Sequence, residues 1–208
     1  MNERMLSQLP RLLDELSESG WALMPQAIDD IDSSALASDL DRQWSEGRFK
    51  NAHVGQGFEQ SEHKKIRSDK IHWLSEDDPE LSIQYWLNEV RDLTTALNEN
   101  LFLSLSAYDC HFACYDPGDF YQKHRDRFRN NPERILSVIL FLNKDWLAKD
   151  AGELIIFDNE NPERIAAEIK PENGSMVIFR SDKIFHEVRT TKRRRLSLTG
   201  WLKSSPRF

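Results

Sequence analysis

Hydrophobic positions change period along this chain, and the changes divide it into a helical part and a strand-rich part. The opening "MNERMLSQLPRLLDELSESG" sets leucines among charges at helical spacing, with Ser17–Gly20 reading as the helix end. A short apolar run, "GWALM", predicts a strand, and "SSALASDLDRQWSEG" predicts a second helix capped by Ser33 or Ser34. The polar, Gly-containing stretch "RFKNAHVGQGFEQSEHKKIRSDKIHWL" has no helical period. Irregular stretches of that length are usually functional or disordered. "LSIQYWLNEVRDLTTALNEN" then predicts a strongly amphipathic helix whose Leu, Trp and Val positions face a core.

From Leu101 onward the pattern turns β. The runs are "LFLSLSAYDCHFACY", "RILSVILFLNKDW", "GELIIF", "RIAAEI", "SMVIF", "FHEV" and "RLSLTGWL", separated by turn signals. Seven or eight short strands of this kind predict two packed sheets or a barrel, giving a mainly β fold with N-terminal and flanking helices. At 208 residues the chain is long enough for a sizeable core and short for two full domains, so one domain over 1–208 is expected.

Composition narrows the classes further. A net charge of −7 disfavours a general phosphate-binding surface, so nucleic acid is not an expected partner; the basic run Lys192–Arg195 is its only support. No run of about 18 apolar residues predicts a membrane span, and the N-terminus lacks the apolar core and cleavage site of a signal peptide. Cys110 and Cys114 are the only cysteines and share one expected strand. Four residues along a strand cover about 13 Å, too far for a disulfide without a bend. Both read as buried thiols, and a cytoplasmic, reducing location is expected.

The candidate chemistry is concentrated in a few positions. "KHRDRF" holds His124 and Asp126, and His186 follows sixty positions after Asp126 in "IFHEVRTTKRRRL". His-x-Asp followed by a distant His is the sequence form of a 2-His-1-carboxylate triad. Such a triad binds Fe(II) on one face and leaves positions open for cosubstrate and O₂. In an extended strand, residues two apart share a face, so His124 and Asp126 could reach one ion. The alternative for the motif in isolation is a solvated loop. Nine positions past His186, Arg195 opens the alternating "RLSLTGWL", with Ser197 and Thr199 on its face. An inward guanidinium is costly unless an anion compensates it, and it suits a carboxylate through paired hydrogen bonds. Lys192, Arg193 and Arg194 read as an exposed basic run. His53, His63 and His72 read as surface histidines, and His111 as a core or surface histidine.

Five blocks carry a family resemblance: "IRSDKIHWL", "ACYDPGDFYQKHRD", "LFLNKDW", "AGELIIF" and "HEVRTTKRRRLSLTGW". From about "SGWALM" to "TGWL" the chain resembles the prolyl-4-hydroxylase branch of the 2-oxoglutarate and Fe(II)-dependent dioxygenases, near the hypoxia-factor prolyl hydroxylases and their bacterial relatives. The resemblance implies a double-stranded β-helix (jelly-roll, cupin-like) core over 101–208. Residues 1–100 would supply helical support and a substrate loop at about 48–70. It implies His124, Asp126 and His186 as iron ligands, and Arg195 as partner of the distal carboxylate of 2-oxoglutarate. Tyr115 and Thr199 would line the cosubstrate pocket, with Trp201 close to the site. Where the animal enzymes carry a tyrosine that contacts the same carboxylate, this chain has Phe141, and Tyr115 is the candidate to supply a donor. Asp69 and Arg134 match a salt bridge that ties the substrate loop to the barrel in those relatives, and Arg67 is a candidate substrate contact.

The activity implied is 2-oxoglutarate- and O₂-dependent hydroxylation of a prolyl residue to 4-hydroxyproline, with succinate and CO₂ released and ascorbate a candidate reductant. Asp126 favours hydroxylation over halogenation, since halogenase relatives lack that carboxylate. The implied partner is a proline-containing protein or peptide, with a translation factor as one candidate. Two alternatives stand beside it: a hydroxylase of a free amino acid or other small molecule, and a non-catalytic β-helix that binds a partner through the long loop.

Overall fold

The computed structural model describes residues 1–52, 66–127 and 132–204. Its helices are α1 (Glu3–Glu18), α2 (Asp30–Ser45) and α3 (Leu81–Leu101). The strands are β1 (Trp21–Met24), β2 (Lys50–Asn51), β3 (Lys70–Trp73), β4 (Leu105–Tyr115), β5 (Tyr121–His124) and β6 (Arg134–Phe141), followed by β7 (Leu154–Phe157), β8 (Ile165–Ile169), β9 (Met176–Arg180), β10 (His186–Val188) and β11 (Arg195–Ser204). All named strand pairings are antiparallel. They form a seven-stranded sheet, β1-β9-β6-β11-β4-β3-β2, and a four-stranded sheet, β5-β10-β7-β8. Two antiparallel sheets facing each other, backed by three helices, are the double-stranded β-helix expected above.

The central strands of the larger sheet, β9, β6, β11 and most of β4, are largely buried on both faces, which explains their apolar density. One face packs on the helices: Leu198 and Leu202 of β11 and Cys110 and Phe112 of β4 join Ile83, Trp86, Val90, Leu93 and Leu97 of α3. Those α3 positions recur at intervals of three and four, the amphipathic spacing read from the sequence. The other face looks into the space between the sheets, where Ala113, Tyr115, Ile139, Phe141, Ile156, Val177 and Phe179 form a second cluster. β11 alternates between the two. Its register sets Arg195 beside Tyr115, Ser197 beside Ala113 and Phe141, Thr199 beside His111 and Ile139, and Trp201 beside Asp109 and Ser137. The polar face of one strand thus becomes a wall of the inter-sheet space.

Several local expectations are corrected. Helix α2 starts earlier than Ser33 or Ser34 allows, because Asp29 is its cap and accepts from the amides of Ile31 and Asp32 at 2.9 Å each. Ser33 instead donates to the Asp29 carbonyl at 2.8 Å. Leu101 belongs to α3. Phe102 and Ser104, at φ 53° and 56°, turn the chain so that β4 begins only at Leu105. The stretch read as irregular contributes β2 and β3 to the sheet edge, while most of the expected substrate loop, with His53 and His63, lies outside the described residues. Cys110 and Cys114 are free and buried. Among the described residues, no helix is long and apolar enough to cross a membrane.

Candidate metal centre and anion site

The smaller sheet places the two histidines opposite each other. His186 of β10 is the direct cross-strand partner of His124, the last residue of β5, and their ring centroids lie 4.2 Å apart. Asp126 is not on that strand: β5 ends at His124, and the chain bends before the carboxylate reaches back. The expected shared strand face is therefore replaced by a cross-strand pair plus a bend. Asp126 Oδ1 lies 3.4 Å from His124 Nε2 and 3.7 Å from His186 Nε2. One ligand atom from each of the three residues falls within 4.8 Å of the others, the only such group found among the described residues.

The surroundings prepare each group as a ligand. His124 Nδ1 donates to the Gln122 carbonyl at 2.7 Å, which turns the Nε2 lone pair toward the common centre. His186 Nδ1 lies 3.4 Å from the Ile184 carbonyl and is biased the same way. Burial pushes the His186 imidazole down to about 4, with the neighbouring His124 adding to the effect, so it is neutral near pH 7. Burial alone would raise the Asp126 carboxyl. The two histidines and the Ser137 hydroxyl outweigh it and hold the group well below the usual carboxylate range. Ser137 Oγ donates to Asp126 Oδ2 at 2.6 Å and also contacts Ser181 Oγ at 2.8 Å.

This donor set fits a divalent metal. Asp126 is only 6% exposed, and a buried anion needs a compensating cation. The neutral His186 imidazole carries no charge, and Arg134 reaches only the Asp126 backbone carbonyl, at 3.3 Å. Two imidazoles and one carboxylate on one side of a centre form the facial arrangement suited to Fe(II).

Arg195 presents the complementary problem. It is 1% exposed. Its Nε donates to the Gly152 carbonyl at 2.9 Å, its Nη2 has no partner, and no carboxylate pairs with it among the described residues. Arginine does not shed its proton, so the position calls for a bound anion. Tyr115 and Phe141 flank it, each ring centroid 5.2 Å from the guanidinium carbon. Burial pushes the Tyr115 phenol well above its ordinary range, which keeps it a hydroxyl donor. Phe141 supplies only an apolar wall. The close approach of Arg195 depends on Gly152, at φ +73°: a Cβ there would meet Thr191 at 2.9 Å and Arg195 Cδ at 3.3 Å.

The remaining expected residues divide. Thr199 lies on the Arg195 face, with Oγ1 3.5 Å from Ser197 Oγ. Trp201 is buried in an aromatic cluster, its ring centroid 5.3 Å from His111 and 6.0 Å from Trp73, with the Arg134 guanidinium 3.6 Å above its ring. The expected Asp69–Arg134 salt bridge is absent. Asp69, 1% exposed, is gripped by Arg67 instead, through Nε at 2.8 Å and Nη2 at 2.7 Å. A guanidinium two residues away satisfies both carboxylate oxygens, and Arg134 is occupied by Trp201. Nor is the basic run simply exposed: Arg193 caps the carbonyls of Lys144 and Asp145, and half-buried Arg194 pairs with Asp41.

Sequence reasoning missed Ser137, Tyr121 and the role of His111. Ser137 had a signal, as the single hydroxyl within the apolar run "RILSVILF". Tyr121 stacks on His124, a contact no spacing announces. His111 stands in the wall with an unpartnered, buried Nδ1, as does Trp201 with its Nε1.

Fold and site together define a non-haem iron oxygenase built on a double-stranded β-helix. Comparison with known proteins agrees. The profile of the 2OG-Fe(II) oxygenase superfamily matches residues 110–203. A Pseudomonas putida prolyl-4-hydroxylase superposes with a TM-score of 0.85 at 32% identity, over 95% of this chain and 100% of that one. A prolyl hydroxylase from Trichoplax adhaerens, solved in complex with a hypoxia inducible factor oxygen degradation domain peptide fragment, shares the fold. Its TM-score is 0.85 at 23% identity, over 98% of this chain and 94% of that one. Egl nine homolog 1 of Homo sapiens is 31% identical over 143 residues, which is 66% of this chain and 33% of that protein. The match thus spans about a third of the length of that curated relative. The chain belongs to the 2-oxoglutarate and Fe(II)-dependent oxygenase superfamily, in its prolyl-4-hydroxylase-like branch.

Proposed function

We propose that this protein hydroxylates a prolyl residue in a protein or peptide, consuming O₂ and 2-oxoglutarate and releasing 4-hydroxyproline, succinate and CO₂. The observation that carries the proposal is a pair of uncompensated buried charges at the margins of one inter-sheet space. A carboxylate sits between two imidazoles, and a guanidinium stands without a counter-ion among the described residues. Fe(II) held by His124, Asp126 and His186 would answer the first charge, and the distal carboxylate of 2-oxoglutarate on Arg195 would answer the second.

His124, Asp126 and His186 would hold the iron, which supplies activation of O₂ when bound. Because they lie to one side of the centre, the other side would be open to the cosubstrate and O₂. Arg195 would fix the orientation of 2-oxoglutarate from its far end, and the protonated Tyr115 phenol, whose ring flanks Arg195, would be a second donor to the same carboxylate. Phe141 contributes shape without a hydrogen bond. The apolar side chains between the sheets exclude water, which strengthens the Arg195–carboxylate interaction. Asp126, as a carboxylate at the third position, directs the site to hydroxylation.

The prolyl substrate is supported by likeness to the Pseudomonas putida prolyl-4-hydroxylase along nearly the whole chain. A translation factor is our candidate substrate, ascorbate our candidate reductant, and the two free thiols suit a cytoplasmic location. The test is incubation with Fe(II), 2-oxoglutarate, ascorbate and a panel of proline-containing peptides drawn from translation factors, followed by tandem mass spectrometry and succinate measurement. One oxygen gained on a proline, with one succinate formed per event, is expected. Succinate formation stimulated by free amino acids but by no peptide would overturn the proposal in favour of a small-molecule hydroxylase.

A further inference from the structure

Arg67 leads back toward the metal centre through an unbroken stack. Its guanidinium carbon lies 4.2 Å from the centroid of the Tyr121 ring. The opposite contact of Tyr121 is His124, whose ring centroid is 3.6 Å away at an interplanar angle of 16°, a parallel face-to-face arrangement. Behind Arg67 stands Asp69, bound through both oxygens. Burial opposes a charged Arg67, but Asp69 more than offsets it and holds the guanidinium well above its ordinary value.

The backbone fixes the same stack. Arg67 and Tyr121 form an isolated antiparallel bridge. Ser68 donates its amide to the Phe120 carbonyl at 3.2 Å and accepts from the Phe120 amide through Oγ, also at 3.2 Å. The segment Arg67–Asp69 is thereby held against the start of β5, three residues before the first metal ligand. On its own account His124 is held by the Nδ1 hydrogen bond to the Gln122 carbonyl and by the approach of Nε2 to Asp126 Oδ1. That bond sets the tautomer, whereas a ring laid flat against the imidazole restricts its rotation.

We infer that Asp69, Arg67 and Tyr121 form a positioning stack that orients the His124 imidazole for metal binding. The inference rests on the metal site described above and adds to it a function for the Arg67–Asp69 pair. None of the three residues is a ligand. Their contribution is to the geometry and affinity of the centre, of the size usual for groups that orient metal-bound histidines, about 10- to 100-fold in metal affinity.

The test is titration of the purified protein with Co(II) alone, followed by its visible absorption, for wild type and three variants. Tyr121→Phe keeps the flat ring and is expected to match wild type in affinity and spectrum. Tyr121→Leu keeps apolar bulk without the flat face and is expected to bind Co(II) about tenfold more weakly with a shifted band. Arg67→Met combined with Asp69→Leu removes the ion pair as a neutral unit, avoiding a stranded carboxylate. It is expected to weaken binding and shift the band in the same direction. If that double variant does not fold, the two Tyr121 variants decide alone. Wild-type affinity and spectrum in Tyr121→Leu would overturn the stack while leaving the metal site standing. A wild type that binds no Co(II) would overturn both.

Discussion

Replacing Arg195 with methionine makes opposite predictions for the empty and the ligand-bound protein. In the empty protein a guanidinium 1% exposed, with Nη2 unpartnered and no counter-ion among the described residues, is a standing cost. Exchanging buried charges for apolar side chains of similar volume is often neutral or stabilising by about 1–4 kcal/mol. For a protein of this size each kcal/mol moves Tm by roughly 2–4 °C, so Arg195→Met should melt at or above wild type without ligand. With ligand the order reverses. Losing one partner of a buried, hydrogen-bonded charge pair costs about 2–5 kcal/mol, a Kd for 2-oxoglutarate raised roughly 30-fold to more than 1000-fold. At a 2-oxoglutarate concentration of 100 times the wild-type Kd, wild type gains about 2.7 kcal/mol by linkage and the variant less than about 1. Differential scanning calorimetry with a redox-inert divalent metal, with and without 2-oxoglutarate, reads both halves. A variant that melts below wild type when empty, yet shows the full ligand shift, would refute the assignment of Arg195 as an anion anchor.

Three further outcomes follow from the same geometry. Ser137→Ala removes the 2.6 Å bond to Asp126 and should lower stability by about 1–3 kcal/mol and Fe(II) affinity by roughly tenfold; unchanged metal affinity in a competition titration would contradict its role. Gly152→Ala forces a side chain at φ +73° against Thr191 and Arg195, so 2-oxoglutarate affinity should fall while Fe(II) affinity holds, as calorimetric titration of each can show. Burial, with Arg67 nearby, pushes the His111 imidazole from an ordinary 6.5 down to about 3. Below pH 6.5 the unfolded chain takes up a proton that the folded one refuses, so this contribution to stability is lost as pH falls from 6.5 toward 3, by up to about 1.4 kcal/mol per pH unit. Urea denaturation of His111→Leu across that range should show a shallower acid slope than wild type, and an equal slope would show that His111 is not the residue responsible.

The His124, Asp126 and His186 cluster was legible because metal-binding chemistry is confined to a few residue types and two of the three stand two positions apart. Arg195 was legible because a charge on an alternating strand has only two faces to choose from. Pairings made through space were not. Asp69 could have reached Arg134, and only the structure shows that Arg67, two residues away, takes both oxygens. The same holds for Arg67 on Tyr121 and Ser137 on Asp126, since each joins segments whose distance apart depends on how the strands pair. Asp29 outcompeted Ser33 as the α2 cap because a carboxylate serves two amides at once, a choice that hydrophobic periodicity does not report. β2 and β3 escaped notice because edge strands of two and four residues carry too few apolar positions for a period to show.

The most direct test of the metal and cosubstrate assignment is anaerobic titration of the apo protein with Fe(II) and then 2-oxoglutarate, followed by visible absorption. A weak metal-to-ligand charge-transfer band should appear only when both are present and vanish in His186→Ala. Bound iron without that band on adding 2-oxoglutarate, in folded wild-type protein, would contradict the assignment.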